Sequence, residues 1–314
     1  MIIQYFRKMG GFSLLKSWAY NRVLFYTVGL FLVLPKNRFG LEILSECIEK
    51  KIYTHLKRKF KKTINQQRNM PIDIQRKKII WFCWLQGIES APELVKINYG
   101  RLHKFFLDYE INIITSENFR NFTNIPDFII KKWKTGIITH THFSDILRTN
   151  LLALNGGIWI DATVFVTNVL PDDIAESCFF LFRTQKPGVA GKCITVSSWF
   201  ISSVAAHPVM LLVQEMIFDY WSKHNYLCDY FLFHLCLEIA LEKYADLISD
   251  MPKYTNETPH FLLYELSHPY DSNNFKSIIR KSFVHKLTNK MSEKEQNAVG
   301  TVYQYLLKGQ NTNV

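Results

Sequence analysis

The chain has 314 residues, enough to bury one large core or one domain with an extension. Its hydrophobic content of 48% and aromatic content of 15% exclude a mainly disordered protein. The formal charge of +11 is concentrated in residues 1–78, where 17 lysines and arginines face four acids, which favours an anionic membrane surface as partner and no nucleic acid.

An apolar run near the N-terminus predicts a first helix. Residues 23–34 form this run, which Pro35 ends, and it is shorter than the roughly 20 residues that span a bilayer. No small-residue cleavage site follows it, which argues against a secretory signal peptide. We interpret the run either as a buried helix of the folded domain or as an interfacial anchor.

A second helix is predicted where apolar residues recur at helical spacing between Leu41 and Leu56, among many lysines. Such a basic amphipathic helix could lie on lipid or pack on the folded domain. Residues 65–71 are polar and turn-prone, so we place a linker there. The predicted organisation is a basic, partly apolar helical extension over residues 1–70, followed by a folded domain over residues 71–314.

The first part of this domain alternates strand and helix patterns. Residues 78–84 form a continuous apolar run typical of a buried strand, and Gln86-Gly87 after it allows a tight turn. A helix is predicted over residues 93–106, a second strand over residues 109–114 and a short helix over residues 122–134. This order predicts an α/β fold with a mostly parallel sheet flanked by helices.

The central helix is predicted from the apolar positions Phe143, Leu147, Leu151 and Leu154. Asp145 and Arg148 are three residues apart on another face of this helix, so a carboxylate and a guanidinium point the same way.

A glycine pair and a strand follow the central helix. Gly156-Gly157 is predicted to end it, because glycine adopts a left-handed backbone at little cost. Residues 158–160 predict a buried strand with Asp161 at its carboxyl end, where open α/β sheets bind ligands. An acid at that position suits a metal ion or a sugar hydroxyl.

The rest of the chain predicts further strands and helices. Residues 164–166 are interpreted as an edge strand, and residues 179–182 and 197–201 as two more strands. Residues 184–192 between them predict a loop that could fold over a substrate. Helices are predicted to begin at His207-Pro208 and near Cys228, where Asp229 is either a functional carboxylate or a helix cap.

Three pieces of the central stretch together resemble a known family. Ser144-Asp145-x-x-Arg148, Gly156-Gly157-Ile158 and Trp159-x-Asp161 are similar to motifs of sugar-nucleotide glycosyltransferases of the DxD type, which have the GT-A fold. The chain resembles the bacterial capsular polysaccharide synthesis proteins, relatives of the α-mannosyltransferase and clostridial glucosylating-toxin group. The likeness covers about residues 78–290, and Thr163 departs from the second aspartate of most DxD enzymes.

The resemblance implies roles for particular residues. The implied donor-binding residues are Trp81 for stacking on uracil, Gln86, Gly87, Asp145, Arg148, Asp161 and Lys286. The implied metal ligands for Mn²⁺ or Mg²⁺ are Asp161, Thr163 and His285, with His260 as a rival to His285. The implied catalytic residues are Asp145, Arg148 and Asp229.

The implied activity is a retaining transfer of galactose or glucose from a UDP-sugar, with an α-linked product. The implied acceptor is an undecaprenyl-pyrophosphate-linked saccharide in capsule assembly, at the cytoplasmic face of the membrane. The six cysteines show no C-x-x-C or zinc spacing, which fits free thiols in a reducing compartment. Two alternatives are a metal-dependent sugar-nucleotide hydrolase and a non-catalytic membrane-surface partner of the assembly machinery.

Overall fold

The structure is a computed structural model that describes residues 18–66, 76–184 and 193–308. The predicted substrate-covering loop at residues 184–192 lies outside the described residues, apart from Thr184. The predicted linker at residues 65–71 lies outside them from residue 67 onwards.

The chain alternates helices and strands along most of its length. The helices are α1 (Leu24–Val33), α2 (Arg38–Lys59), α3 (Lys61–Gln66), α4 (Glu93–Phe105), α5 (Asp127–Lys134), α6 (His140–Asn155), α7 (Asp172–Glu176), α8 (Pro208–Lys223), α9 (Leu232–Lys243), α10 (Phe261–Glu265), α11 (Ser272–Ile279), α12 (Glu293–Gln296) and α13 (Val302–Lys308). The strands are β1 (Ile79–Cys83), β2 (Glu110–Ile114), β3 (Gly157–Ile160), β4 (Val164–Val166), β5 (Phe179–Arg183), β6 (Val196–Ser203) and β7 (Val284–Lys286).

The central sheet has five strands in the order β2-β1-β3-β6-β5. β1 pairs in parallel with both β2 and β3, because helical crossovers return the chain to the same end of the sheet. β6 is antiparallel to β3 and to β5, so it is the single reversed strand of this sheet. The predicted α/β fold with a mostly parallel, helix-flanked sheet is confirmed.

The segment after Asp161 forms a separate small sheet. β4 pairs in antiparallel fashion with β7, and Val164 lies opposite Lys286. The prediction of β4 as an edge strand was therefore incomplete, since its partner comes from residues about 120 positions later and not from the main sheet. This pairing carries the late part of the chain to the carboxyl end of β3.

The glycine pair ends α6 as predicted. Gly156 has φ +70° and Gly157 has φ +93°, in a region that residues with a Cβ rarely adopt. A Cβ on Gly156 would lie 2.5 Å from the backbone nitrogen of Ala205, and one on Gly157 would lie 2.6 Å from the carbonyl oxygen of Ile79. Both positions therefore need glycine for backbone conformation and for space.

The N-terminal helices pack on the central domain. Ile52 and Leu56 of α2 are buried in the main core, which supports the packed interpretation of this helix. Lys57 Nζ lies 2.5 Å from Glu242 Oε1 of α9, and Asn21 Nδ2 donates to the carbonyl of Cys228 at 3.0 Å. Contacts of this kind make the extension part of the same packed body.

The outer face of α1 is open to solvent. Phe25, Val28 and Leu32 are 91%, 50% and 75% exposed, while Leu30, Phe31 and Leu34 pack against the main core, so α1 is buried on one face only. The spacing of the three exposed residues places them on one side of the helix, while Thr27 faces the core. No helix within the described ranges has both the length and the apolar content to cross a bilayer.

Candidate active site

Four charged side chains meet at the carboxyl end of β3. α6 supplies Asp145 and Arg148, and Arg148 Nη1 donates to Asp145 Oδ1 at 2.5 Å. Arg148 Nη2 donates to Asp161 Oδ1 at 2.8 Å, so the guanidinium joins the helix to the residue after β3. Lys286 Nζ, 125 residues from Asp161 in the chain, donates to Asp161 Oδ2 at 3.0 Å. We call these residues the four-charge cluster.

The four-charge cluster has a buried side and an open side. Arg148 is 4% exposed and Asp145 is 9% exposed. The side chains of Asp161 and Lys286 are 24% and 21% exposed. A ligand would therefore meet Asp161 and Lys286 first, whereas Arg148 holds the two carboxylates from behind.

Opposite charges keep both acids of the cluster ionised. Burial raises the pKa of the Asp161 carboxyl, but Lys286 and Arg148 outweigh that effect and hold its pKa well below its usual range. Burial also raises the pKa of Asp145, and the hydrogen bond from His142 with the charge of Arg148 lowers it to a net depressed value. At neutral pH both groups are anions that bind and position, rather than proton donors.

Two aromatic rings flank the guanidinium of Arg148. Its Cζ lies 4.8 Å from the ring centroid of Trp159 and 5.2 Å from that of Phe233. Trp159 Nε1 also donates to Asp161 Oδ1 at 2.8 Å. Sequence reasoning missed both roles, although the Trp-x-Asp spacing places the side chains of Trp159 and Asp161 on the same side of the strand.

His142 supports the cluster from inside the core. Trp221 Nε1 donates to His142 Nε2 at 2.9 Å, which leaves the ring proton on Nδ1. His142 Nδ1 lies 3.5 Å from Asp145 Oδ2. Sequence reasoning missed this residue, and its spacing of three from Asp145 on a helix was the available signal.

The predicted base-binding residues lie around the end of β1. Trp81 is 2% exposed and donates from Nε1 to the carbonyl of Gly156 at 2.8 Å, so its core position does not fit the predicted stacking on uracil. Gln86 is exposed and Gly87 has φ +84°, which places both in an open turn. Trp84 is half-buried directly after β1 and packs against the main core.

Asp229 is hydrogen-bonded within its own loop. Its Oδ1 accepts from the backbone N–H of Phe231 at 2.7 Å in a local turn before α9, whose N-cap is Phe231 and has no side-chain cap. Burial raises the pKa of Asp229 to about 6. Within residues 18–66, 76–184 and 193–308, no hydrogen bond or ion pair joins Asp229 to the cluster.

Of the predicted metal ligands, Asp161 and Thr163 meet at the ammonium of Lys286, whereas His285 does not join them. His285 is fully buried on β7, and the alternation of the strand turns its ring away from the side on which Lys286 meets Asp161. Thr163 Oγ1 accepts a hydrogen bond from Lys286 Nζ. His260 bonds through Nδ1 to the carbonyl oxygen of Asn256 at 2.7 Å. No group of three metal-binding side chains occurs among the described residues.

This site offers few protein ligands to a divalent ion. Within the described part of the chain, Asp161 supplies the one carboxylate at the open side, and its oxygens accept from Arg148, Trp159 and Lys286. Mg²⁺ and Mn²⁺ favour octahedral oxygen ligands, most of which would have to come from water or a phosphate here. Binding of Mn²⁺ or Mg²⁺ therefore stays a prediction without a matching ligand arrangement.

Comparisons with known proteins complete the description of the site. A sequence model of the family described as "Capsular polysaccharide synthesis protein" matches residues 41–306, which is most of the chain. A search of curated proteins finds no significant match. Among solved structures, "PaToxG Glycosyltransferase" is similar at 14% sequence identity and a TM-score of 0.37, over 83% of this chain and 97% of that chain. A TM-score this low supports neither a fold nor an activity.

Proposed function

Because the chain belongs to the capsular polysaccharide synthesis protein family, we propose that it is a glycosyltransferase that moves galactose or glucose from a UDP-sugar to a lipid-linked saccharide. The observation that supports this proposal is the four-charge cluster at the carboxyl end of β3, the edge at which open α/β sheets bind ligands. Its open side presents a fixed cation to a ligand.

Transfer from a sugar nucleotide breaks the bond between the anomeric carbon and a phosphate oxygen, which leaves a diphosphate anion. A preorganised cation stabilises that charge without reorganising during the reaction. Lys286 is the exposed cation of the cluster and is assigned to the diphosphate. Asp161 is assigned to the sugar or ribose hydroxyls beside it, as a hydrogen-bond acceptor.

Arg148 and Asp145 are assigned a positioning role. Arg148 donates to the carboxylates of Asp145 and Asp161 within the protein, and its side chain is almost completely buried. A direct contact from Arg148 to a donor sugar would require breaking one of these buried bonds, at a cost of about 1–3 kcal/mol. We therefore propose that Arg148 and Asp145 do not make the predicted direct contact with the sugar but position Asp161, which does contact it.

We also propose that the protein works as a peripheral protein at the cytoplasmic face of the membrane, on an undecaprenyl-pyrophosphate-linked acceptor. The exposed apolar face of α1 supports this proposal, and Lys36 and Arg38 follow directly after the helix. Apolar residues beside cations are typical of helices that lie in the headgroup region. The retention of configuration, with an α-linked product, is proposed from the family resemblance.

The test uses the full chain with a panel of UDP- and GDP-sugars and membrane extract as acceptor. We expect one UDP-hexose to be consumed and its sugar to appear on lipid, in an α-linkage by NMR. Release of free sugar at the same rate without acceptor would identify a hydrolase instead. No turnover of any donor would contradict the proposal and favour a non-catalytic partner.

A further inference from the structure

We infer that the ammonium of Lys286 occupies the position of a divalent cation and binds the donor diphosphate directly, so that nucleotide binding needs no metal ion. This inference rests on the proposed function, and it adds that the lysine holds the diphosphate without a metal ion.

The contacts of Lys286 leave it one donor for a ligand. An ammonium has three N–H donors. One goes to Asp161 Oδ2 at 3.0 Å and another to Thr163 Oγ1. The described part of the chain supplies no acceptor for the third, and the side chain is 21% exposed. A phosphate oxygen can therefore complete the hydrogen bonding of this nitrogen from the open side.

The charge of the cluster explains why a lysine suits this position. Asp145 and Asp161 are balanced by Arg148 and Lys286, so the formal charge of the cluster is zero. A carboxylate at position 163 would give it a negative charge and attract a further cation. Thr163 supplies a neutral hydroxyl instead, which accepts from the lysine and adds no charge.

The backbone holds Lys286 in place on both sides. Lys286 lies opposite Val164 in the pairing of β4 with β7. The next amide, Leu287 N–H, donates to the carbonyl of Thr163 at 2.9 Å. A lysine on a paired strand keeps its charge near one position, and a charge-assisted bond from such a group to phosphate is among the stronger hydrogen bonds in proteins.

The experiment measures UDP binding to the full chain by calorimetry, in EDTA and in Mn²⁺. We expect the wild type to bind UDP with the same affinity in both buffers. Lys286→Met should weaken binding by about tenfold or more, because one charge-assisted hydrogen bond is lost. The matched control is Lys281→Met, an exposed lysine near the ring of Phe261, which should bind UDP as the wild type does.

Two further measurements keep the result decisive. Titration of Mn²⁺ alone, followed by electron paramagnetic resonance, should show no saturable site in the wild type. Lys286→Arg retains the charge and should bind UDP more tightly than Lys286→Met. If circular dichroism shows that Lys286→Met does not fold, the UDP affinity of the wild type in EDTA and in Mn²⁺ still decides whether nucleotide binding needs a metal ion.

The outcomes separate this inference from the proposed function. UDP binding that requires Mn²⁺, or that Lys286→Met leaves unchanged, would overturn the inference and leave the glycosyltransferase proposal standing. If neither UDP nor GDP binds in either buffer, both the inference and the proposed function are overturned.

Discussion

At the scale of single residues, Asp161 connects the parts of the candidate site. Oδ1 accepts from Arg148 and Trp159, and Oδ2 accepts from Lys286. These donors come from α6, β3 and β7, so one carboxylate joins three elements. Its ionised state follows from the two cations that contact it, which lower its pKa despite burial.

We expect Asp161→Asn to abolish transfer, with a loss of at least about 100-fold, because the amide cannot balance two cations. Stability should fall by about 1–3 kcal/mol through the lost charged hydrogen bonds. The control is Asp108→Asn, since Asp108 has a side chain 79% exposed and a single surface ion pair at 3.4 Å. Transfer assays and denaturant unfolding of both variants check this, and full activity of Asp161→Asn would contradict the assigned site.

At the scale of elements, the junction between α6 and β3 sets where Asp161 lies. α6 must end and β3 must begin within two residues, which the positive φ angles of Gly156 and Gly157 make possible. Backbone atoms of residues 203–205 pack against Gly156. The close approach of backbone on both sides leaves no room for even a methyl group.

Gly156→Ala should destabilise the protein by about 3 kcal/mol, from the disfavoured φ and from overpacking. Gly100→Ala is the matched control, because Gly100 lies within α4 and a methyl group added there would meet no atom within 4 Å outside the backbone of its own helix. That control should be neutral or stabilising by about 0.5–1 kcal/mol. Urea unfolding compares the two, and equal stabilities would show that the junction tolerates a side chain.

The exposed face of α1 carries the second prediction at this scale. A triple change of Phe25, Val28 and Leu32 to serine removes apolar surface that is mostly open to solvent, since these side chains are 91%, 50% and 75% exposed. We expect binding to anionic vesicles to fall by at least about tenfold in a flotation assay, because membrane affinity scales with buried apolar area. Leu107→Ser, at a loop position 82% exposed, is the control and should float as the wild type does.

At the scale of the whole molecule, the N-terminal extension and the central domain share one core. Tyr53 of α2 donates to Glu242 of α9, and Glu46 accepts from the backbone N–H of Cys193 at 3.0 Å. Deleting residues 1–64 would therefore remove part of the core together with any membrane-binding surface. Point changes on α1 are the sharper test of membrane binding for this reason.

Buried histidines make global stability depend on pH. Burial lowers the pKa of His207 and of His285 to about 4. The unfolded chain takes up these protons near about pH 6.5, so stability should fall between about pH 6.5 and about pH 4, by about 1.4 kcal/mol per unit for each histidine. The depressed carboxyls of Asp145 and Asp161 act in a lower window, where their stabilisation is lost only as the pH falls below about 4.

Denaturant unfolding between about pH 6.5 and about pH 4 measures how the free energy of unfolding changes with pH. His285→Gln cannot take up the proton, so the slope of the unfolding free energy against pH should lose the contribution of about one proton. This expectation does not depend on the effect of the change on stability at neutral pH. Equal slopes for wild type and His285→Gln would contradict the attribution of part of the pH dependence to His285.

Local sequence determined the elements and half of the cluster. Helix and strand periodicity depends on neighbouring residues, so α6, β3 and the glycine junction could be predicted, as could the meeting of Asp145 with Arg148 at a spacing of three. The Lys286 contact with Asp161 could be implied only by family resemblance, because the two residues are 125 positions apart.

Only the tertiary structure decided which side chains face the site. The pairing of β4 with β7 turns Lys286 towards Asp161 and His285 away from it, and a shift of one residue in that register would exchange them. Trp81 is buried because its ring packs against Phe122 and donates to the carbonyl of Gly156. The local sequence of its strand does not distinguish such a buried ring from one that is open to a ligand. Orientation depends on partners distant in the chain, and for this reason a local pattern predicts an element without its contacts.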